Sequence, residues 1–279
     1  MPGIITSKTR YYSTEKPPLG STINWGHPLA KGLVACWLMN EGGGNVVRDI
    51  AGRANGAIVN AVWNSTAKGK ALYFDGTDDY ISLGVQDNLM FTAGDYSISF
   101  LFNTQDIVNR DGIFEHYWWS SSTSSGGWGI EMNGTTAKRI RAIHWKNGNN
   151  QLSNSTDLAI NRWYHLCFAY SDSANTGTWY LNRKVDGTGT MYSPGADTGG
   201  TMHIGADNGT SFFFTGRLTN AQIWRDRCLR LPEVKALYEA PYQFISPIKS
   251  RTYFIPDGVA PPATVTGIMT PRTNYWGDL

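Results

Sequence analysis

The stretch GKALYFDGTDDYISLG, residues 69–84, restricts the fold more than any other part of this chain. It places a half-apolar run ending at Phe74 and a second from Tyr80 to Leu83 around an acidic glycine turn holding Asp75, Gly76, Asp78 and Asp79. Two alternating runs joined by an Asp/Gly turn read as a β-hairpin. The same sixteen residues bring three carboxylates close together, so one motif sets the fold class and offers the best candidate for a cation site.

The hairpin pattern recurs along the chain. LVACWLM (33–39), NVVRDIAG and ANGAIVNAVW lead into it. YSISFLFNT (96–104) alternates, with Tyr96, Ile98, Phe100 and Phe102 on one face and Ser97 and Ser99 on the other. GIFEHYWW, GWGIEMN and RIRAIHW follow at hairpin spacing, and RWYHLCFAY (162–170) is apolar on both faces, as a central strand is. GTWYLNRKVDG reads as a strand, a turn near Asn182-Arg183 and a return strand; TMHIGA and FFTGRLTNAQIW complete the set. With 31 Gly for turns and 36 aromatic rings (11 Trp, 14 Tyr, 11 Phe) to fill wide faces, this predicts an all-β, antiparallel two-sheet jelly-roll sandwich. One short C-terminal helix stands out over Leu231–Pro241. Pro232 is tolerated in its first turn, Glu233 suits its N-terminus, and Val234, Leu237 and Tyr238 share a face. The expected organisation is an extended N-terminal arm over 1–25, the jelly-roll body over 26–241 and an extended, proline-bearing C-terminal arm over 242–279.

Charge narrows the partners. With 24 basic against 22 acidic residues and no Lys/Arg run, nothing points to nucleic acid or to a membrane. Cys36, Cys167 and Cys228 lie in apolar runs and are an odd, sparse set, so free and mostly buried thiols are expected. The first twenty residues have no signal-peptide core and no stretch approaches a membrane span, so folding in a reducing cytoplasm is expected.

GLVACWLMNEGGGNVVRDIAG, GKALYFDGTDDYISLG, YSISFLF, RWYHLCFAY, TWYLNRK and GRLTNAQIWRDRCLRLPEVKALYE occur in that order over Gly32 to Glu239. Together they resemble the laminin-G-like domain of the concanavalin-A-like lectin/glucanase superfamily. The resemblance implies a jelly roll of one convex and one concave sheet, with calcium bound in many members by acidic turns at the rim. The flanks PPLGSTINWGHPLAKGL and LYEAPYQFISPIKSRTYF are similar to tailed-bacteriophage structural proteins, in which a lectin-like jelly roll is carried between arms.

Calcium needs six to eight oxygens. Asp75, Asp78 and Asp79 supply carboxylates within five residues, and Asp49 is expected to approach from the preceding strand. The plainer alternative is that Asp75 and Asp78 only form the turn through Asx hydrogen bonds. No cofactor other than calcium is implied. The superfamily's glucanase branch uses paired carboxylates on one strand face, and none of the six glutamates here pairs that way. Glu115 and Glu131 could meet only from neighbouring strands. His165 lies in an apolar run, as a hydrogen-bonded core histidine does. The segment EHYWWSSSTSSGGW is the most suggestive surface: Tyr117, Trp118 and Trp119 beside a Ser/Gly loop suit core filling, a protein interface or a sugar face, with Trp145 a second candidate.

These readings favour a non-enzymatic interaction module. The leading expectation is a bacteriophage virion structural protein, a capsid decoration or tail-associated component assembled in the host cytoplasm. Its arms would hold other virion proteins (major capsid or tail) and copies of itself in a homo-oligomer. The alternative is a calcium-assisted carbohydrate-binding lectin domain recognising cell-surface glycan, and the weakest is a glycoside hydrolase.

Overall fold

Residues 96–104 form the strand their alternation predicts, and the rest of the body is laid out around it. The computed structural model describes residues 12, 14–52, 54–107, 110–121, 124–133, 138–146, 149–196 and 200–246, with backbone alone at 117–121, 124–125, 133 and 149. By contacts the chain divides into a unit over Met1–Pro247 and a second over Ile248–Leu279, which lies outside the described residues.

In chain order the strands begin with β1 (Thr22–Ile23), β2 (Leu33–Trp37), β3 (Val46–Val47), β4 (Gly56–Val59), β5 (Val62–Thr66) and β6 (Gly69–Asp75). Next come β7 (Tyr80–Gly84), β8 (Tyr96–Thr104), β9 (Gly112–Ser121), β10 (Ser124–Asn133), β11 (Arg139–Lys146) and β12 (Asn149–Ser153). The last are β13 (Trp163–Ser171), β14 (Thr176–Leu181), β15 (Lys184–Thr190), β16 (Met202–Ile204), β17 (Thr215–Arg225) and β18 (Ile245–Ser246), with helix α1 (Leu231–Glu239) between β17 and β18. Sheet 1 has the order β12-β11-β10-β9-β16-β7-β4-β3. Sheet 2 runs β15-β14-β13-β8-β17-β6-β5, with β2 also paired to β17. All the described pairings are antiparallel, so the molecule is the all-β jelly-roll sandwich the strand pattern predicts. β14 and β15 turn at Asn182 and Arg183, whose φ values of 45° and 67° put two consecutive residues in the left-handed region that a tight hairpin needs.

The main core lies between the sheets. Tyr96, Ile98, Phe100 and Phe102 of β8 meet Phe114, Trp128, Ile130, Met202 and Ile204 of sheet 1. Indole N–H groups inside the body find carbonyls: Trp128 Nε1 donates to Leu89 O at 2.8 Å and Trp37 Nε1 to Ala54 O at 2.6 Å. Such satisfaction is what makes burying a polar ring tolerable.

Sheet 2 carries a second apolar layer on its outer face. Cys36, Leu38, Cys167, Ala169, Tyr180 and Trp224 are covered by Val234 and Leu237 of α1 and by Tyr242, Phe244 and Ile245. α1 begins where Glu233 Oε2 accepts the Arg230 N–H at 2.9 Å, and it ends at Glu239, before Pro241. The layer explains why Ser97 and Ser99, opposite the core face of β8, are also buried. Ser97 Oγ donates to Arg227 O at 2.9 Å, and Ser99 Oγ lies 2.8 Å from His165 Nε2. Burial of that imidazole lowers its pKa to about 4, so it is a neutral, hydrogen-bonded histidine.

Within the span expected as an N-terminal arm, the segment 14–25 lies on this body. Pro17, Ser21 and Ile23 are buried, and β1 pairs with β18 through Thr22–Ser246 and Ile23–Ile245. Lys16 is held by the carbonyls of Met39 and Lys70 and by the Thr219 hydroxyl. The three cysteines are free; Cys36 and Cys167 are buried and Cys228 is half-buried. Among the described residues no helix is long and apolar enough to cross a membrane.

Candidate functional site

The runs on either side of the acidic turn are strands as expected but not a hairpin: β6 pairs with β5 and β17 in sheet 2 and β7 with β4 and β16 in sheet 1, so the turn that gathers the three aspartates crosses from one sheet to the other. Gly76 makes the turn with φ 83°, and a Cβ there would sit 2.0 Å from Thr215 Oγ1, so glycine is required both for conformation and for the neighbouring strand's approach. Asp75 Oδ1 accepts the Thr77 N–H at 2.8 Å, the local turn bond expected of an aspartate here. Asp79 is buried, and its Oδ2 accepts the Asp75 N–H at 2.8 Å. The three carboxylates still converge: one ligand atom each from Asp75, Asp78 and Asp79 lies within 4.8 Å of the others. Burial raises the Asp79 pKa; its backbone hydrogen bond opposes this, and the charges of Asp75 and Asp78 add to it. A divalent cation would relieve that repulsion, and three carboxylates provide about half the oxygens calcium takes.

Asp49 does not join the group. Its Oδ1 accepts the Cys36 and Ala51 N–H groups at 2.8 and 2.9 Å, and its Oδ2 accepts the Ala54 N–H at 3.2 Å. It ties the β2–β3 region together as a backbone cap.

A second cluster lies on the outer face of sheet 1. Glu115 on β9 is opposite Gly129 on β10, and Glu131, two residues further on, shares that face. The two glutamates that could meet only across strands therefore do meet. Glu131 is fully buried and is held by Arg110 Nε and by Arg141 Nη2 at 2.5 Å; Arg110 also reaches Asp207 Oδ2 at 3.7 Å. Glu115 is 1% exposed, and neither of its carboxyl oxygens has a hydrogen-bond partner among the described residues. Burial first, then the charges of Glu131 and Asp207, push its pKa well above the ordinary carboxylate range, against the pull of Arg110 and Arg141. The carboxyl fits because β10 has no side chain beneath it: a Cβ on Gly129 would lie 2.2 Å from Glu115 Oε2.

Two carboxyls with opposed environments are the pattern of an acid–base pair. Here, however, both are sealed from solvent and one is spent on two guanidinium groups, so a sugar and its attacking water do not reach them. Arg110, Arg141 and Asp207 were not visible as site residues in the sequence. Arg141 stands directly opposite Glu131 in the β10–β11 register, so a correct hairpin alignment would have found that pair.

Of the aromatic candidates, Tyr117, Trp118 and Trp119 pair through their backbones with Gly127, Gly126 and Ser125, and their side chains lie outside the described residues. Trp145 is on β11 at 4% exposure, packed with Ile143. Its Cη2 would lie 2.8 Å from a Cβ on Gly129, which places its ring beside the Glu115 carboxyl.

A family profile described as the concanavalin A-like lectin/glucanases superfamily, Laminin_G_3, matches residues 75–235. No curated protein matches the chain. Among solved structures, the binding domain of Paraclostridial Mosquitocidal Protein 1 is similar with TM-score 0.59 and 15% identity, over 75% of this chain and 52% of that one. The botulinum neurotoxin serotype G binding domain aligns with TM-score 0.56 and 13% identity, over 74% and 50%. A Trypanosoma rangeli sialidase in complex with sialic acid aligns with TM-score 0.54 and 13% identity, over 75% and 33%. The chain thus spans about half or less of the length of these structures, and at such identities the likeness is one of fold.

Proposed function

The chain belongs to the Laminin_G_3 family of the concanavalin A-like lectin/glucanase superfamily, and from that membership we propose a non-enzymatic module that binds carbohydrate with a calcium ion at the Asp75–Asp78–Asp79 turn. The observation that carries this reading is the convergence of three carboxylate oxygens within 4.8 Å on a turn built by Gly76. Similar folds serve in toxin binding domains and in a sialidase complexed with sialic acid, which supports recognition as the use made of this sandwich. The sealed, arginine-bound state of Glu131 favours binding over hydrolysis.

Calcium bound only by the folded state stabilises it by about 2.7 kcal/mol at a hundredfold excess over Kd. The test is thermal unfolding with calcium and with a chelator, on the natural chain and on Asp78→Asn, alongside a glycan array under the same conditions. A calcium-dependent rise in Tm lost in Asp78→Asn, with calcium-dependent array signals, is the expected result. Identical melting in calcium and chelator would refute the cation site, and a blank array would refute the lectin reading.

A second reading, the setting of this module on a tailed-phage virion, has its own supporting observation. β1 and β18 pair with Thr22 opposite Ser246, so the two flanks of the described body are brought side by side, an arrangement that suits joint attachment to neighbouring capsid or tail subunits and to further copies. Mass spectrometry of purified virions, with protease protection of the segment after Ser246 only in assembled particles, is the expected outcome. Absence of the chain from virions would end this reading and leave the carbohydrate one intact.

A further inference from the structure

The loop from Gly205 to Phe214, which joins β16 to β17, carries a feature that core packing does not explain. Phe212 has φ 49°, in the left-handed region, and is 42% exposed. A bulky aromatic at positive φ is a backbone outlier, and glycine or asparagine would fill such a turn without strain. Asn208 and Gly209 in the same loop, with φ 50° and 67°, show the residues such a backbone ordinarily selects. Burial does not repay the strain at Phe212, since much of the ring is in solvent. Strain held at an exposed residue is the mark of a position retained for contact with something else.

The ring is also held in place. The Arg110 guanidinium carbon lies 4.2 Å from the ring centroid, and the guanidinium is itself fixed by Glu131 and by Asp207, the latter at 3.7 Å. The Phe212 carbonyl accepts the Gly112 N–H at 2.7 Å, which pins the backbone behind the ring. One face of the ring therefore rests on a buried ion cluster, and exposed Asn208 and Thr210 lie in the same loop. The loop runs against the acidic turn: Thr215 pairs with Asp75, and a Cβ on Gly209 would lie 3.0 Å from the Tyr80 ring, next to Asp79.

The geometry points to Phe212 as the stacking platform of a sugar-binding subsite beside the acidic turn, taking the apolar C–H face of a pyranose, with Arg110 as the residue that positions the ring. This rests on the carbohydrate reading and adds to it the residue that meets the sugar. A ring immobilised before binding loses little rotamer freedom on contact, and an aromatic face with polar neighbours suits a ligand with one apolar face and a hydroxyl edge. On this reading the Arg110–Glu131–Arg141 cluster supports the platform from within the sheet.

The experiment measures stability and binding on the same variants: Phe212→Gly, Phe212→Asn and Phe212→Trp. Binding is read on a glycan array and by saturation-transfer NMR with methyl β-D-galactopyranoside and methyl β-D-glucopyranoside. Phe212→Gly and Phe212→Asn should melt at or above the natural temperature, because the strain is released, yet lose at least tenfold in affinity. Phe212→Trp should keep binding. A ring that serves the fold would give the opposite result, a lowered Tm in Gly and Asn with binding retained by the folded fraction, and that overturns the proposal. Calcium-dependent binding unchanged in Phe212→Gly would remove the platform and leave the carbohydrate reading standing. No binding to the array by the natural chain would remove both.

Discussion

Replacing Glu115 with glutamine should stabilise the protein at neutral pH and abolish one component of its pH dependence. The side chain is 1% exposed, has no hydrogen-bond partner at either oxygen among the described residues, and feels the charges of Glu131, Asp207, Arg110 and Arg141. Its pKa in the folded state lies well above the ordinary 4.5, chiefly through burial. The unfolded chain ionises this group first as pH rises, so folding takes up a proton throughout the window between the two values. Stability therefore falls with rising pH by about 1.4 kcal/mol per unit in that window, or roughly 2.7 kcal/mol two units above its lower limit. Glutamine has the same shape and no charge, so it removes this penalty and leaves the other groups as they are. Urea unfolding at half-unit steps from pH 4.5 upward, for both proteins, gives the difference in unfolding free energy directly. The difference should grow with pH in favour of the variant at about that slope. A difference curve flat in pH, or a variant less stable at every pH, would refute the idea that a neutral carboxyl is held there.

Other outcomes follow from the same geometry. Glu131→Gln should cost roughly 3 kcal/mol in the same urea assay, because it removes the buried carboxylate charge that Arg110 and Arg141 share and leaves them only Asp207 and Gln151 among the partners described. Gly76→Ala should lower stability by about 1–2 kcal/mol from the backbone alone, and should also erase the calcium-dependent rise in Tm, since its methyl group displaces Thr215 from the acidic turn. Lys16 has a pKa lowered to about 7 by burial, only partly offset by Glu41, against 10.5 when unfolded. The unfolded chain holds the extra proton between those values, so attachment of residues 14–23 should tighten as pH rises from 7 toward 10.5. Amide exchange of that segment, corrected for the intrinsic rate, should slow across that range; unchanged protection would contradict it.

What could be read from the sequence was what is local. YSISFLFNT and LPEVKALYE each carry their pattern within a dozen residues and form the element it predicts; the two runs around the Asp/Gly turn are strands as well, but they join different sheets instead of forming a hairpin, because each finds its partners in distant segments. β12 did not show itself: NNQLS has no apolar alternation, and it is a strand because Arg141 to Trp145 offer it an edge. The burial of Ser97 and Ser99 was equally hidden, since it depends on α1 and the segment after it covering sheet 2 from outside. The candidate sites divide the same way. The aspartate turn lies within five residues and was visible; Asp49, expected to approach it from the preceding strand, is instead engaged by backbone amides. The Glu115–Glu131 cluster needs the registers of β9, β10 and β11 at once, and no single segment encodes them.

The β1–β18 ribbon and the contacts near it also bear on how the protein is made. Thr22 pairs with Ser246, and Trp224 Nε1 donates to Leu29 O across 195 residues of chain. A nascent polypeptide leaving the ribosome cannot form either contact until nearly all of this body has emerged, so β1 and Leu29 wait longest for their partners. Such long closures make for slow folding and leave unpaired strand edges open to wrong partners in the interval. A slow stretch of synthesis before β17 would lengthen that exposure.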